Sequence, residues 1–186
     1  MKRKNILLAI ALLISGLLSV NGAFAQEKSE NVTLNIVLKP IQTITVNPAS
    51  KSVNIIYDDI TDYEKGVTTG ALAEHLTVFS TGGFTVNVKS DGDFVNTNDN
   101  TNKIAAGDVK ITAEGSVGTF YEVALATSEG SGSNLISSDK GGRDLKYSVT
   151  YDNTSGANDA YINHYLNGGD EKNTFTATVT YTIAAK

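Results

Sequence analysis

The chain has 186 residues, with 15 Lys and Arg against 20 Asp and Glu, and no cysteine. The length suits one domain with a core of useful size, while the missing cysteines exclude disulfides, thiol catalysis and thiolate metal sites. A net charge of −5 disfavours nucleic acid, whose affinity rests on neutralised phosphates, and equally an anionic membrane surface.

Lys2, Arg3 and Lys4 precede an apolar run from Ile6 to Leu18 broken only by Ser15 and Gly16, and Ala23-Phe24-Ala25 then sets small residues where a signal peptidase reads. The run is shorter than the roughly 20 apolar residues of a membrane span. The expected layout is a signal peptide at 1–25 and one domain at 26–186, exported through a periplasm in transit, then secreted or held at the cell surface. No transmembrane anchor is expected after cleavage. Removing the three basic residues leaves 12 basic against 20 acidic side chains.

Val32, Leu34, Ile36 and Leu38 alternate with polar Thr33 and Asn35, the period of a half-buried strand. Pro40, which has no N–H to give a ladder, ends the run. Residues 26–39 are therefore either the first strand of the domain or a detachable segment that completes a neighbour's sheet. Further strands are expected at Ile41 to Val46, Ser52 to Tyr57, Leu76 to Ser80, Phe84 to Ser90, Val109 to Ala113, Phe120 to Thr127, Leu145 to Tyr151 and Thr174 to Ile183, all rich in residues that fit a pleated surface. Gly-rich turns separate them. Gly70 to His75 reads as briefly helical, and Asn96 to Asn102 as an exposed loop. The expected fold is all-β, a single antiparallel sandwich of about 8–10 strands.

The last of these segments sets Phe175, Ala177, Val179, Tyr181 and Ile183 on one face and five threonines on the other, with no charge between Lys172 and Lys186. Nothing in it breaks or bends the strand. A long uncharged strand left at an edge recruits other chains, so pairing on both sides is expected, within the domain or with another subunit. An alternating segment such as Val32 to Leu38 can supply that pairing by strand addition, its backbone giving affinity and its alternate side chains filling pockets.

The signal peptide, the alternating segment at Val32 to Leu38, the Gly-rich middle and a last strand carrying Tyr181 together resemble secreted, immunoglobulin-like bacterial surface subunits, in particular pilin-type proteins assembled by chaperone and usher. Gly82-Gly83-Phe84-Thr85-Val86-Asn87-Val88 resembles an internal strand of such sandwiches. The resemblance implies a structural or adhesive role in a fimbria or pilus, with the chain itself or related subunits as partners by β-strand addition and a periplasmic chaperone in transit. It implies no chemistry and no enzyme. The alternative is a secreted glycan- or protein-binding module, using the loops at Asn96 to Asn102 and Asn153 to Tyr165.

Candidate chemistry is sparse. His75 and His164 stand 89 residues apart in no nucleophile or zinc motif; His164 is expected among surface aromatics and His75 at the edge of a short element. Asp58, Asp59 and Asp62, and Asp91, Asp93 and Asp99, are read as turn chemistry, with calcium as the other reading considered. No cofactor is expected.

Overall fold

The computed structural model describes residues 27–127, 130–169 and 173–186. The expected signal peptide lies outside the described residues. Among them, no helix is long and apolar enough to cross a membrane.

Among the described residues the strands are, in chain order, β1 (Gln42–Val46), β2 (Val67–Thr68), β3 (Leu72–Ser80), β4 (Phe84–Ser90), β5 (Phe94–Asn96), β6 (Lys103–Ile104), β7 (Lys110–Gly115), β8 (Thr119–Phe120), β9 (Val123–Ala124), β10 (Ser133–Ser138), β11 (Gly142–Asn153), β12 (Phe175–Thr176) and β13 (Val179–Ala185), with an α-helix, α1 (Ile60–Lys65), before β2. The first sheet runs β1-β3-β11-β7-β9, with β2 also on β11; the second runs β13-β4-β10-β8; a small third sheet is β12-β5-β6. The strand pairings are antiparallel. Leu76, Val78, Ile111, Tyr147 and Val149 from the first sheet and Phe84, Val86, Val88, Leu135 and Ile136 from the second form one buried cluster. The chain is thus all-β and sandwich-like, as its alternating pattern predicts.

Several elements differ from the sequence reading. Residues 27–37 contain no strand and fall outside the compact unit Leu38–Lys186; the expected strand at Val32 to Leu38 has no ladder, and Val32, Leu34, Ile36 and Leu38 are 82–92% exposed. Alternation supplies a face to bury, but a strand also needs a neighbour for its backbone groups. Ser52 to Tyr57 likewise lies outside any ladder while keeping the alternating burial of a strand at Val53, Ile55 and Tyr57. The residues read as helical at Leu72 to His75 begin β3 instead. Pairing with β11 overrides their helical propensity, and Glu74, at φ 50°, cannot lie in a right-handed helix.

β10 is a central strand that the sequence reading misses. Its Leu135 and Ile136 are both fully buried because the register on β4 shifts between Asn134 and Ile136, a bulge that turns successive side chains inward. The segment expected as one strand at Phe120 to Thr127 is two short ones that change sheets: β8 pairs with β10 and β9 with β7. One lateral side of the sandwich is closed by this crossing.

The C-terminal strand is interrupted too. β12 and β13 separate at Ala177–Thr178, where Asp91 accepts the Thr178 N–H at 2.8 Å and gives its own N–H to the Thr178 carbonyl. Among the described residues β13 pairs with β4 alone. Of the two partners expected for it, within the domain or from another subunit, the described residues supply one.

Candidate functional site

Opposite the closed side, β1 ends the first sheet and β13 ends the second. Backbone parity fixes what each offers. In an antiparallel pair, residues alternate between those bonded to the partner and those whose N–H and C=O point away. Lys186 donates to Gly83 O and Asp91 donates to Thr178 O, so the even-numbered residues of β13 serve β4. Val179, Tyr181, Ile183 and Ala185 therefore turn their backbone groups away from β4, to the side where β1 and β13 approach within 8 Å between Cα atoms without a ladder joining them, here called the open side. For β1, Thr81 donates to Ile41 O and Asn47 to His75 O. Its outward residues are Gln42, Ile44 and Val46.

The side chains follow the same parity. Val179, Tyr181 and Ile183 are half-buried and pack on the core with Ile44 and Val46, while Thr180, Thr182 and Ala184 are exposed. Of the expected strand-pairing residues, Phe175, Ala177, Val179, Tyr181 and Ile183 are each half-buried, Phe175 in β12 on the third sheet, Ala177 in the break and the other three on one face of β13, whereas Val32, Leu34, Ile36 and Leu38 lie on an exposed segment.

A cavity of about 720 Å³ opens between the unladdered Val53–Tyr57 segment and Phe175. Val53, Ile55, Phe94, Ile104, Val109 and Phe175 give it an apolar lining, and Tyr57, Tyr63, Tyr161, His164 and Tyr165 an aromatic one. Tyr57 lies 5.2 Å from Tyr63 and 5.5 Å from Tyr161 between ring centroids, and His164 stands edge-on to Tyr161 and Phe175 at 5.8 and 6.0 Å. The polar atoms here are already committed. Tyr57 donates to Asn153 Oδ1 at 2.7 Å; Asn153 Nδ2 donates to Asp108 O and the Tyr161 hydroxyl. His164 Nδ1 meets Asn102 Oδ1 at 2.7 Å, which joins the two loops expected to serve binding. Burial pushes the Tyr161 hydroxyl up to about 12 and raises Tyr57 further, so both stay neutral.

His75 is placed where the sequence reading does not expect it: it is 1% exposed. Its Nδ1 meets Ser50 Oγ at 2.8 Å, its Nε2 meets the Tyr151 hydroxyl at 3.0 Å, and that hydroxyl meets Tyr181 at 2.7 Å. The chain of contacts links β3, β11 and β13 behind the open side. Serine beside histidine suggests a nucleophile, yet the third member is a tyrosine hydroxyl rather than a carboxylate that would support an imidazolium. Burial lowers the His75 pKa.

Of the acidic side chains read as turn chemistry, Asp59, Asp62, Asp91, Asp93 and Asp99 accept backbone N–H groups, and Asp58, Asp59 and Asp62 also bring carboxylate oxygens within 4.8 Å of one another. Asp59 accepts from the Asp62 N–H, and Asp62 accepts from Asp58 and Asp59, a capping box for α1 that the sequence reading does not identify. These bonds hold the Asp62 carboxyl below its usual range. Asp91, Asp93 and Asp99 serve three separate turns, through Thr178, Ala106 and Thr101. No protein-family model matches the chain, and no curated protein matches it.

Proposed function

We propose that this protein is a structural or adhesive surface subunit that polymerises by strand complementation, the N-terminal segment of one copy completing the sheet of another. The observation that carries this reading is the asymmetry of the sandwich: one side is closed by the β8–β9 crossing, while the other leaves the outer backbone groups of β13 without a ladder partner among the described residues. The chain also contains a segment of matching chemistry, with Val32, Leu34, Ile36 and Leu38 exposed. Pro40 bars a type I′ hairpin that would fold that segment back onto β1, because both central residues of such a turn need positive φ and proline is fixed near −65°.

Export to the cell surface, a periplasmic chaperone and the immunoglobulin-like, pilin-like identity belong to the same reading. The glycan-binding alternative has the aromatic cavity in its favour, but the buried hydroxyls and amides that would orient a sugar already bond one another.

The test compares the chain from Gln26 with one lacking residues 26–39 by sedimentation and electron microscopy. The longer chain is expected to form oligomers or filaments and the shorter one to remain a folded monomer. A longer chain that stays monomeric at high concentration overturns the reading.

A further inference from the structure

We infer that the N-terminal segment of a second copy adds to β13 antiparallel and in one register, with Leu38 opposite Val179, Ile36 opposite Tyr181, Leu34 opposite Ile183 and Val32 opposite Ala185. This rests on the strand-complementation reading and specifies its contact.

Three constraints select the register. The first is parity: the outward backbone groups of β13 belong to Val179, Tyr181, Ile183 and Ala185, and the first three also turn their side chains toward the core. Residues directly opposite one another share a face. An added strand must therefore place its apolar residues opposite these four, and a slip by one residue would turn Thr33, Asn35 and Val37 inward. The second is number, since four apolar positions in the segment meet four receiving positions.

The third is chemistry at the two ends. Sliding the segment by two residues one way sets Pro40 opposite Val179, where an N–H is needed and proline has none. Sliding it the other way replaces an apolar residue by Glu30 opposite Ala185 and carries Leu38 past the start of β13 to Ala177, in the gap between β12 and β13, so that only three apolar residues meet the receiving strand. In the chosen register Pro40 falls just beyond the last receiving residue. Antiparallel addition continues the pattern of β13, β4, β10 and β8, and antiparallel pairs are slightly more stable than parallel ones.

The absence of native cysteine allows a direct test. In this register Asn35 faces Thr182 as a non-hydrogen-bonded pair, with Cα atoms about 4.5 Å apart, within disulfide range. Both side chains are exposed, so their replacement leaves the core intact. Under mild oxidation, the full chain carrying Asn35→Cys and Thr182→Cys is expected to give a ladder of covalent oligomers on denaturing gels. Asn35→Cys with Thr180→Cys, or with Ala184→Cys, is expected to give at least tenfold less. Preferential linkage of either control pair overturns the register while leaving strand complementation standing, as does assembly without linkage of any pair. A disulfide confined to monomers would place the segment on its own chain and overturn both.

Discussion

Asn153 is 4% exposed and holds the hydroxyls of Tyr57 and Tyr161 while donating to Asp108 O. Asn153→Ala would strand buried polar groups, each worth about 1–3 kcal/mol; a loss of about 2–4 kcal/mol in urea unfolding is expected. His75 contributes a pH dependence whose sign follows from its burial. Its pKa is lowered in the folded chain from the ordinary 6.5, so the unfolded chain takes up the proton more readily. That stabilisation is complete above the unfolded value, declines as pH falls through 6.5, and is lost below the lower folded value. The urea midpoint should fall between about pH 7.5 and about pH 5.5, and more steeply than in His75→Gln. Neither residue could be singled out from the sequence, because Asn and His are ordinary turn and surface residues until the fold buries them. His164 is legible only in part: its aromatic neighbour Tyr161 is local in sequence, but Tyr161 is buried and the other ring against His164, Phe175, comes from a distant strand.

Elements were legible where one face carries an unbroken alternation. β4 coincides with its expected limits, Phe84–Ser90, and its pattern alternates buried and half-buried residues without interruption. β10 was illegible because SNLISS is half serine and its bulge breaks the period of two. Leu135→Ala and Ile136→Ala should each cost about 2–5 kcal/mol, as for a buried strand core, whereas an unpaired polar loop would lose almost nothing. The short helix α1 was hidden by the acidic run that caps it, and it ends at Gly66, with φ 76° and ψ 174°. A Cβ there would come within 2.4 Å of Thr154 Cα. Gly66→Ala should therefore destabilise by about 2–4 kcal/mol, read by thermal unfolding.

At the scale of the whole molecule, the all-β architecture could be read from strand pattern and turn composition, but the open side of the sandwich could not. Its existence depends on β8 and β9 changing sheets and on β13 falling last in its sheet, both non-local outcomes. A proline probe separates the two edges of β13. Ala184 faces β4 and gives its N–H to that ladder, while the N–H of Ala185 points outward. Ala185→Pro should leave the unfolding free energy from urea titration within about 0.5 kcal/mol of wild type yet weaken assembly, whereas Ala184→Pro should lower that free energy itself. The offered segment and the receiving edge are different stretches of chain, so the proposed contact is heterologous. A swapped pair is the smallest closed ring it allows; without closure it generates a polar fibre whose terminal subunits differ, one retaining a bare strand and the other an unspent tail.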